Sequence, residues 1–512
     1  MNRAVSRAHN VGDVKLGAHD GRLSSGPAPE IVNFIYRPMF DQSLKSFHGL
    51  IKYHLAYTLM LTERKIMKRK DGAKILAELL RLERLGLEKL APSPSHEELH
   101  PNVEAWLVKQ LGYDVGGQLN TGRARRECQM GGEQLVLRDK LLDVIGFTAQ
   151  FARVLVELSE RHVNDVMPYY TWFQQAEPIT LGYFFSAYLE ATLIDLDRLW
   201  ASYAEVGRAR FGVGQVVPTS FPIDRKRLAD LLGFDRQIEN SLYGYSSFDI
   251  EAVLLNALTM LLTHACRMTD DLYVWTTQEF GLVEFGDAFS GTSFIMPHKK
   301  NPHAIRFVRL MATRAQSQHA LVANLYMDTT PMIRGAISLS TSYCFDTIDE
   351  VSGCLKVLTA ALPTLRFNAD LGLSRASDNY TQSVQLVNTL VSEEGISFRT
   401  GHQIVGKLVR HALQHGLKSN ELTLDMLRNV AHQELGRDIS LSQAAFTRAL
   451  DAVAAVKSRL HGAGPAPKST LKMVRKWERA LAGHERRCQA ETKRIAEAQS
   501  RLRTLVKKAA SN

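Results

Sequence analysis

The sequence predicts an all-α protein built on long bundled helices. Three observations carry that prediction. Apolar residues recur at helical spacing over long stretches, as in Ile75, Leu79, Leu82 and Leu85. Alternation of β-branched residues never persists. Glycine and proline gather in a few short breaks rather than at regular strand-length intervals.

The elements follow in order. Residues 1–30 are polar and glycine-rich, with a GPAP run at 26–29, and read as a flexible arm. Helical spacing runs from Phe40 to Leu90. The break APSPSHEE at 91–98 offers Ser93 or Ser95 as a cap for the next helix. From Val136 to about Glu205 the pattern is helical and long, with breaks expected at Met167-Pro168 and Glu177-Pro178. Residues 207–247 read as loop with short helices, and 248–280 as a long buried helix. Three glycines between 281 and 291 imply a flexible loop. Residues 303–326 and 343–362 read as helices, 386–460 as shorter ones, 461–470 as a linker and 471–509 as one charged helix.

Composition excludes several classes. At 45% hydrophobic and 23% charged, the chain is neither disordered nor collagenous. Its longest apolar stretches are broken by polar residues short of the ~20 needed to span a bilayer. The first residues lack an apolar signal core, so a cytoplasmic location is expected, with no membrane partner. Cys128, Cys266, Cys344, Cys354 and Cys488 lack metal-ligand spacing and are expected to be free thiols. The net charge of +10 does not mark a nucleic-acid binder. From Lys468 onward 13 Lys and Arg face 4 Asp and Glu, so nearly all of the excess sits in the tail. That tail has little aromatic interleaving beyond Trp477.

The chemistry concentrates in SGTSFIMPHKKNPHAIRFVR, 290–309. A hydroxyl (Ser293), an amine (Lys299) and an amide (Asn301) lie within nine residues, on and just after the glycine-rich loop. A serine deprotonated near cations abstracts a proton, and a Lys with an amide stabilises a carboxylate-derived anion. The bland alternative is a loop followed by a helix start, with Asn301 as a cap.

This segment resembles the signature loop of the fumarase/aspartase/argininosuccinate lyase superfamily, Gly-Ser-Ser-x-Met-Pro-x-Lys-x-Asn. Met296-Pro297 anchors the match, and the family's catalytic serine falls on Ser293. LNTGRARRE at 119–127 and MPYYTWFQQAEPITLG at 167–182 resemble segments of the argininosuccinate lyase branch. So do NSLYGYSSFD at 240–249, WTTQEFGLVE at 275–284 and GHQIVGKLVR at 401–410. The resemblance spans about residues 35–460.

It implies three helical domains and a central bundle that forms a twenty-helix core in a homotetramer, with three subunits meeting at each site. The expected division is an arm at 1–30, an N-terminal domain at 31–125, a central bundle at 126–385, a C-terminal domain at 386–465 and a basic tail at 466–512. The implied reaction is an anti β-elimination that releases fumarate from a succinyl compound without metal or organic cofactor. The implied catalytic set is Ser293, Lys299 and Asn301. Thr121, Arg125, Thr171 and Gln174 match positions that bind a dicarboxylate substrate.

The departures are coupled. Trp172 stands where the branch has a histidine, and Arg306 where it has the glutamate that partners that histidine. Trp172 is read as packing that fills the pocket, because an indole cannot transfer a proton at neutral pH. Ala124 replaces a serine, Arg126 an asparagine, Glu127 an aspartate and Asn120 a histidine. Phe248 replaces an arginine, and IRGAISLS at 333–340 lacks the branch's guanidino-binding pattern. The fumarate-forming half of the site reads as kept and the leaving-group half as rebuilt. Tyr169, Tyr170, Glu177, His298 and His303 are candidates for a replacement acid, with an ion pair to an arginine as the plainer role of Glu177. Three readings stay open: a lyase of altered leaving-group specificity, a non-catalytic homologue, and a genuine argininosuccinate lyase.

Overall fold

The computed structural model describes residues 22–23, 25–247, 249–328 and 337–511. Most of the expected arm, Phe248 and half of the 333–340 segment lie outside the described residues. Helix accounts for 73% of the chain, which bears out the helical class.

The N-terminal part is built from α1 (Arg37–Ser43), α2 (Phe47–Glu63), α3 (Arg69–Leu90) and α4 (Leu99–Leu111). Ser93 caps only a short turn before α4, by accepting from the Ser95 N–H; Glu98 holds the N-cap position of α4 itself. The 37-residue α5 (Arg125–Arg161) follows, and its rise of 1.5 Å per residue makes it about 55 Å long. Packed along it are α6 (Leu181–Val206) and α9 (Ile337–Ala361), with α7 (Asp249–Trp275) and α8 (Val308–Asp328) beyond. Leu141, Leu155, Phe185, Leu258 and Leu355 are fully buried where these helices meet. By length and composition α7 is apolar enough to cross a membrane, but its leucines at 254, 258, 261 and 262 go to this core.

A second apolar cluster joins α2–α4 to Phe211, Leu228 and Phe234. A third holds together α10 (Ser383–Glu394), α11 (Phe398–Gln414), α12 (Leu424–Leu435) and α13 (Gln443–Leu450). The charged tail is a single 44-residue helix, α14 (Pro467–Ala510). Its buried residues Val474, Leu481, Ile495 and Leu502 repeat in multiples of seven, so one stripe lies on α5, α6 and α3 while the charges face out. Val474, Leu481 and Ile495 enter the first cluster, and Leu502 and Val506 the second.

The long helical reading of 136–205 needs one correction. Residues Val166–Thr171 (β1) and Gln174–Thr180 (β2) form an antiparallel hairpin. Pro168 and Pro178 stand opposite one another in it. Neither has an N–H to donate, so both are tolerated in a two-stranded ribbon with open edges. The remaining ladders are two residues per strand: β3 (Arg208–Ala209) with β4 (Arg236–Gln237), β5 (Val283–Glu284) with β8 (Arg366–Phe367), and β6 (Gly291–Thr292) with β7 (Lys300–Asn301).

Candidate active site

The loop carrying Ser293 is closed at its base by β6 and β7, where Gly291 pairs with Asn301 and Thr292 with Lys300. Asn301 is therefore a ladder residue and caps no helix. Gly291 is required by close approach, because a Cβ there would lie 2.0 Å from the His303 ring. The glycines at 281 and 286 also answer local geometry: Gly281 has φ +57°, and a Cβ on Gly286 would press on Thr364 at 3.1 Å. Lys300 pins the base from outside, donating to Glu284 (2.6 Å) and Asp287 (2.7 Å). Lys299 is exposed, as are Phe294, Ile295 and Met296.

Within the loop, Ser293 Oγ accepts from the backbone N–H groups of Ile295 (3.2 Å) and Met296 (3.1 Å). Two donors aimed at a hydroxyl oxygen stabilise its anion more than its neutral form, so they favour a serine that acts as base.

The second segment forms the tip of the β1–β2 hairpin. Thr171 pairs with Gln174, and both are exposed. Between them Trp172 (φ +54°) and Phe173 (φ +59°) both adopt the left-handed region that a tight hairpin turn needs. Such turns favour Asn-Gly, and bulky residues there are strained by about 1–2 kcal/mol each. Trp172 is 95% exposed, so in this chain it fills no pocket. The reason is geometric: a side chain at a primed turn projects beyond both strands.

The first segment is built quite differently. Arg125 pairs with Glu97, and its Nε lies 3.5 Å from Glu98. Thr121 is half-buried. Glu127 is buried and accepts from the Tyr53 hydroxyl (2.6 Å) and the N–H groups of Gly212 (2.9 Å) and Gly214 (2.6 Å). Arg123, absent from the expected site, stacks 4.2 Å from the Tyr57 ring centre. His100 bridges His54 (3.1 Å) and Asn120 (2.7 Å). Burial lowers both imidazoles, His100 to about 3. With Cys128, those two histidines bring metal-type donor atoms within 4.8 Å of one another. Three of their four ring nitrogens are engaged, with each other and with Asn120, while His54 Nδ1 is buried without a partner; burial pushes the thiol up to about 12, and the Arg123 cation acts on all three. A hydrogen-bonded polar core describes this set better than a metal centre.

The replacement-acid candidates separate on their contacts. Glu177 is held by Arg459 through two 2.8 Å bonds, which is its plainer role. Tyr169 donates to Asp271 (3.3 Å); burial first, then that carboxylate, raises its hydroxyl above the usual range. Tyr170 packs edge-on against Phe280 and is raised by burial. His298 is exposed, and His303 presses on Gly291. Arg306 is also exposed.

The chain does not bring its three segments together. The first lies at the start of α5. The hairpin begins just past the end of α5, with Gly182 N–H bonded to His162. The Ser293 loop shares that far end, because Gly286 N–H bonds to Thr364 and Arg161 reaches Pro363. The length of α5, about 55 Å, separates Arg125 from the other two.

Comparison with known proteins agrees with this architecture. A family model described as Lyase matches residues 50–317, and one described as Argininosuccinate lyase C-terminal matches residues 380–457. Argininosuccinate lyase 1 of Shouchella clausii is 30% identical over 466 residues, covering 90% of this chain and 93% of that protein. An argininosuccinate lyase of Methanococcus maripaludis is 29% identical over 487 residues, covering 95% and 99%. A crystal structure of EDDS lyase in complex with formate superposes with a TM-score of 0.86 at 27% identity, covering 97% of this chain and 99% of that one. An EDDS lyase variant with bound fumarate gives the same values.

Proposed function

This chain belongs to the fumarase/aspartase lyase superfamily, with an argininosuccinate lyase C-terminal domain, and from that premise we propose a carbon–nitrogen lyase. It releases fumarate from an N-substituted aspartate whose leaving group differs from arginine. The observation that carries this reading is Ser293 held by two backbone donors, on a loop that keeps Lys299 and Asn301. The bound fumarate of the EDDS lyase variant supports a dicarboxylate ligand.

In this reading Ser293, as its anion, removes the proton next to a substrate carboxylate. Lys299 and Asn301 hold the resulting aci-carboxylate. The electron pair then expels the nitrogen, and the carbon skeleton leaves as fumarate. Tyr169 and Tyr170 are both protonated candidates for the acid that serves the leaving nitrogen, but burial raises both hydroxyls and so weakens them as proton donors. An amine of low basicity leaves without either.

Thr121, Arg125, Thr171 and Gln174 complete the carboxylate site from different subunits of a homotetramer. The 55 Å length of α5 supports that assembly, since one chain cannot close the site alone. Arg125 exchanges its contact with Glu97 for a substrate carboxylate.

The test is ultraviolet absorbance of fumarate, with the purified protein offered argininosuccinate and a panel of N-substituted aspartates. Release is expected from a compound other than argininosuccinate, and Ser293→Ala should cut it by about 10²–10⁴-fold. Silence on every compound from a folded oligomer favours the non-catalytic reading, which the joint loss at Trp172 and Arg306 motivates. Rescue of an arginine auxotroph would instead establish the argininosuccinate lyase reading.

A further inference from the structure

Below the first segment, where α1, α4, α5 and α9 meet, lies a cavity of about 10 Å³. That is room for one water-sized body. Four side chains lining it each carry a buried oxygen with no hydrogen-bond partner: Gln42 Oε1, Glu98 Oε2, Gln129 Oε1 and Glu133 Oε2. Gln129, Glu133 and Glu98 are 1%, 5% and 7% exposed.

The orientation of Gln129 is fixed by its other end. Its Nε2 donates to Ser46 Oγ and Glu133 Oε1, both at 3.0 Å, which leaves its carbonyl oxygen over. The lining hydroxyl of Ser43 is spent on Phe40 O at 2.7 Å. Two guanidinium groups pair loosely with these carboxylates, and the Arg126 side chain itself lines the cavity. Arg126 Nη2 is 3.9 Å from Glu133 Oε2, and Arg125 Nε is 3.5 Å from Glu98 Oε2.

A buried acceptor without a hydrogen bond is costly, and the loose ion pairs leave all four oxygens without one, so the small space between them calls for an occupant. Counting donors narrows it. One water offers two hydrogens and leaves two of the four oxygens unsatisfied. An ammonium ion offers four hydrogens, and an alkali cation coordinates all four oxygens at once. Hard oxygen donors without nitrogen or sulfur suit such an ion.

We propose that this cavity is a binding site for one small monovalent cation, coordinated by Gln42, Glu98, Gln129 and Glu133. The ligand is either a free alkali or ammonium ion or the ammonium end of an amine compound. Burial holds the Glu133 carboxyl above its usual range, and a bound cation offsets that cost.

The experiment is thermal unfolding of the full-length protein at fixed ionic strength in sodium, potassium, ammonium, methylammonium or tetramethylammonium chloride. A small cation is expected to raise Tm saturably, on the order of 2 °C, while tetramethylammonium does not. A response to sodium or potassium identifies a resident inorganic ion. A response confined to ammonium and methylammonium identifies a nitrogen cation. Glu133→Gln should abolish the shift, and Gln129→Met, which leaves the charge unchanged, should weaken the apparent affinity at least several-fold. Equal Tm in all five salts, or an unaltered response in Gln129→Met, overturns the site and leaves water as the occupant. Because Tm is read without turnover, the outcome is independent of fumarate release.

Discussion

The two ends of α5 are built on opposite principles. At its start, Glu127, Tyr53, Arg123, His54 and His100 are packed or hydrogen-bonded inside one chain, and Arg125 is already ion-paired. Past its end, the hairpin tip and the Ser293 loop offer Trp172, Phe173, Phe294 and Ile295 to solvent. These four are among the most exposed large apolar side chains of the molecule, and they lie on two candidate site segments. The contrast teaches that the start of α5 draws its order from buried contacts within the chain, whereas the two segments past its end do not. The start of α5 is finished within the chain, while the far end is left unfinished, its apolar side chains open to solvent.

Four substitutions test that division, and the largest effect belongs to the finished end. Glu127→Ala leaves the Tyr53 hydroxyl and two backbone N–H groups without their acceptor. It should destabilise the fold by about 3 kcal/mol in chemical denaturation. Ser293→Ala should leave the same denaturation curve unchanged, since that oxygen serves only two exposed loop amides. A comparable loss of stability in both variants would break the comparison.

The second effect is a pH dependence from the same end. His100 is buried neutral, with its imidazole lowered to about 3, whereas in the unfolded chain it titrates near 6.5. Below 6.5 the unfolded state therefore binds a proton that the folded state refuses, and stability falls with falling pH until about 3. By pH 5 the expected loss from this residue is about 2 kcal/mol. His100→Gln should remove this residue's share of the slope between pH 6.5 and 5 and leave the share of His54, whose imidazole burial also lowers. A profile as steep as that of the unaltered protein would show that His100 is not the group responsible.

How much of this was legible follows from which interactions are local. Long helices announce themselves through spacing, and the tail could be read as helical because its buried stripe runs 474, 481, 495, 502. The hairpin was not legible. VMPYYT and QQAEPIT lack alternation, and their prolines read as helix breaks when they also face each other across a ladder. The loop residues could be named from their motif. Their environment could not, because Lys300 reaches back 13 and 16 residues for its carboxylates and Arg125 reaches back 28 for Glu97. The separation of the segments was implied by the family resemblance but could not be read from the residues themselves, since it depends on α5 being one unbroken rod.

The smallest effect on stability is expected at the unfinished end, and it sharpens the comparison most. Trp172 makes almost no contact within its own chain, being 95% exposed. Trp172→Ser should therefore change the unfolding free energy of an isolated chain by less than about 0.5 kcal/mol. If the far end completes itself against a second subunit, the indole is buried there, and its loss shows in assembly instead. Sedimentation velocity across a dilution series should then find the variant dissociating at a higher protein concentration than the unaltered chain. Should both species sediment alike at every concentration, the hairpin tip is not an assembly surface, and its left-handed aromatic turn must be explained by a ligand it meets directly.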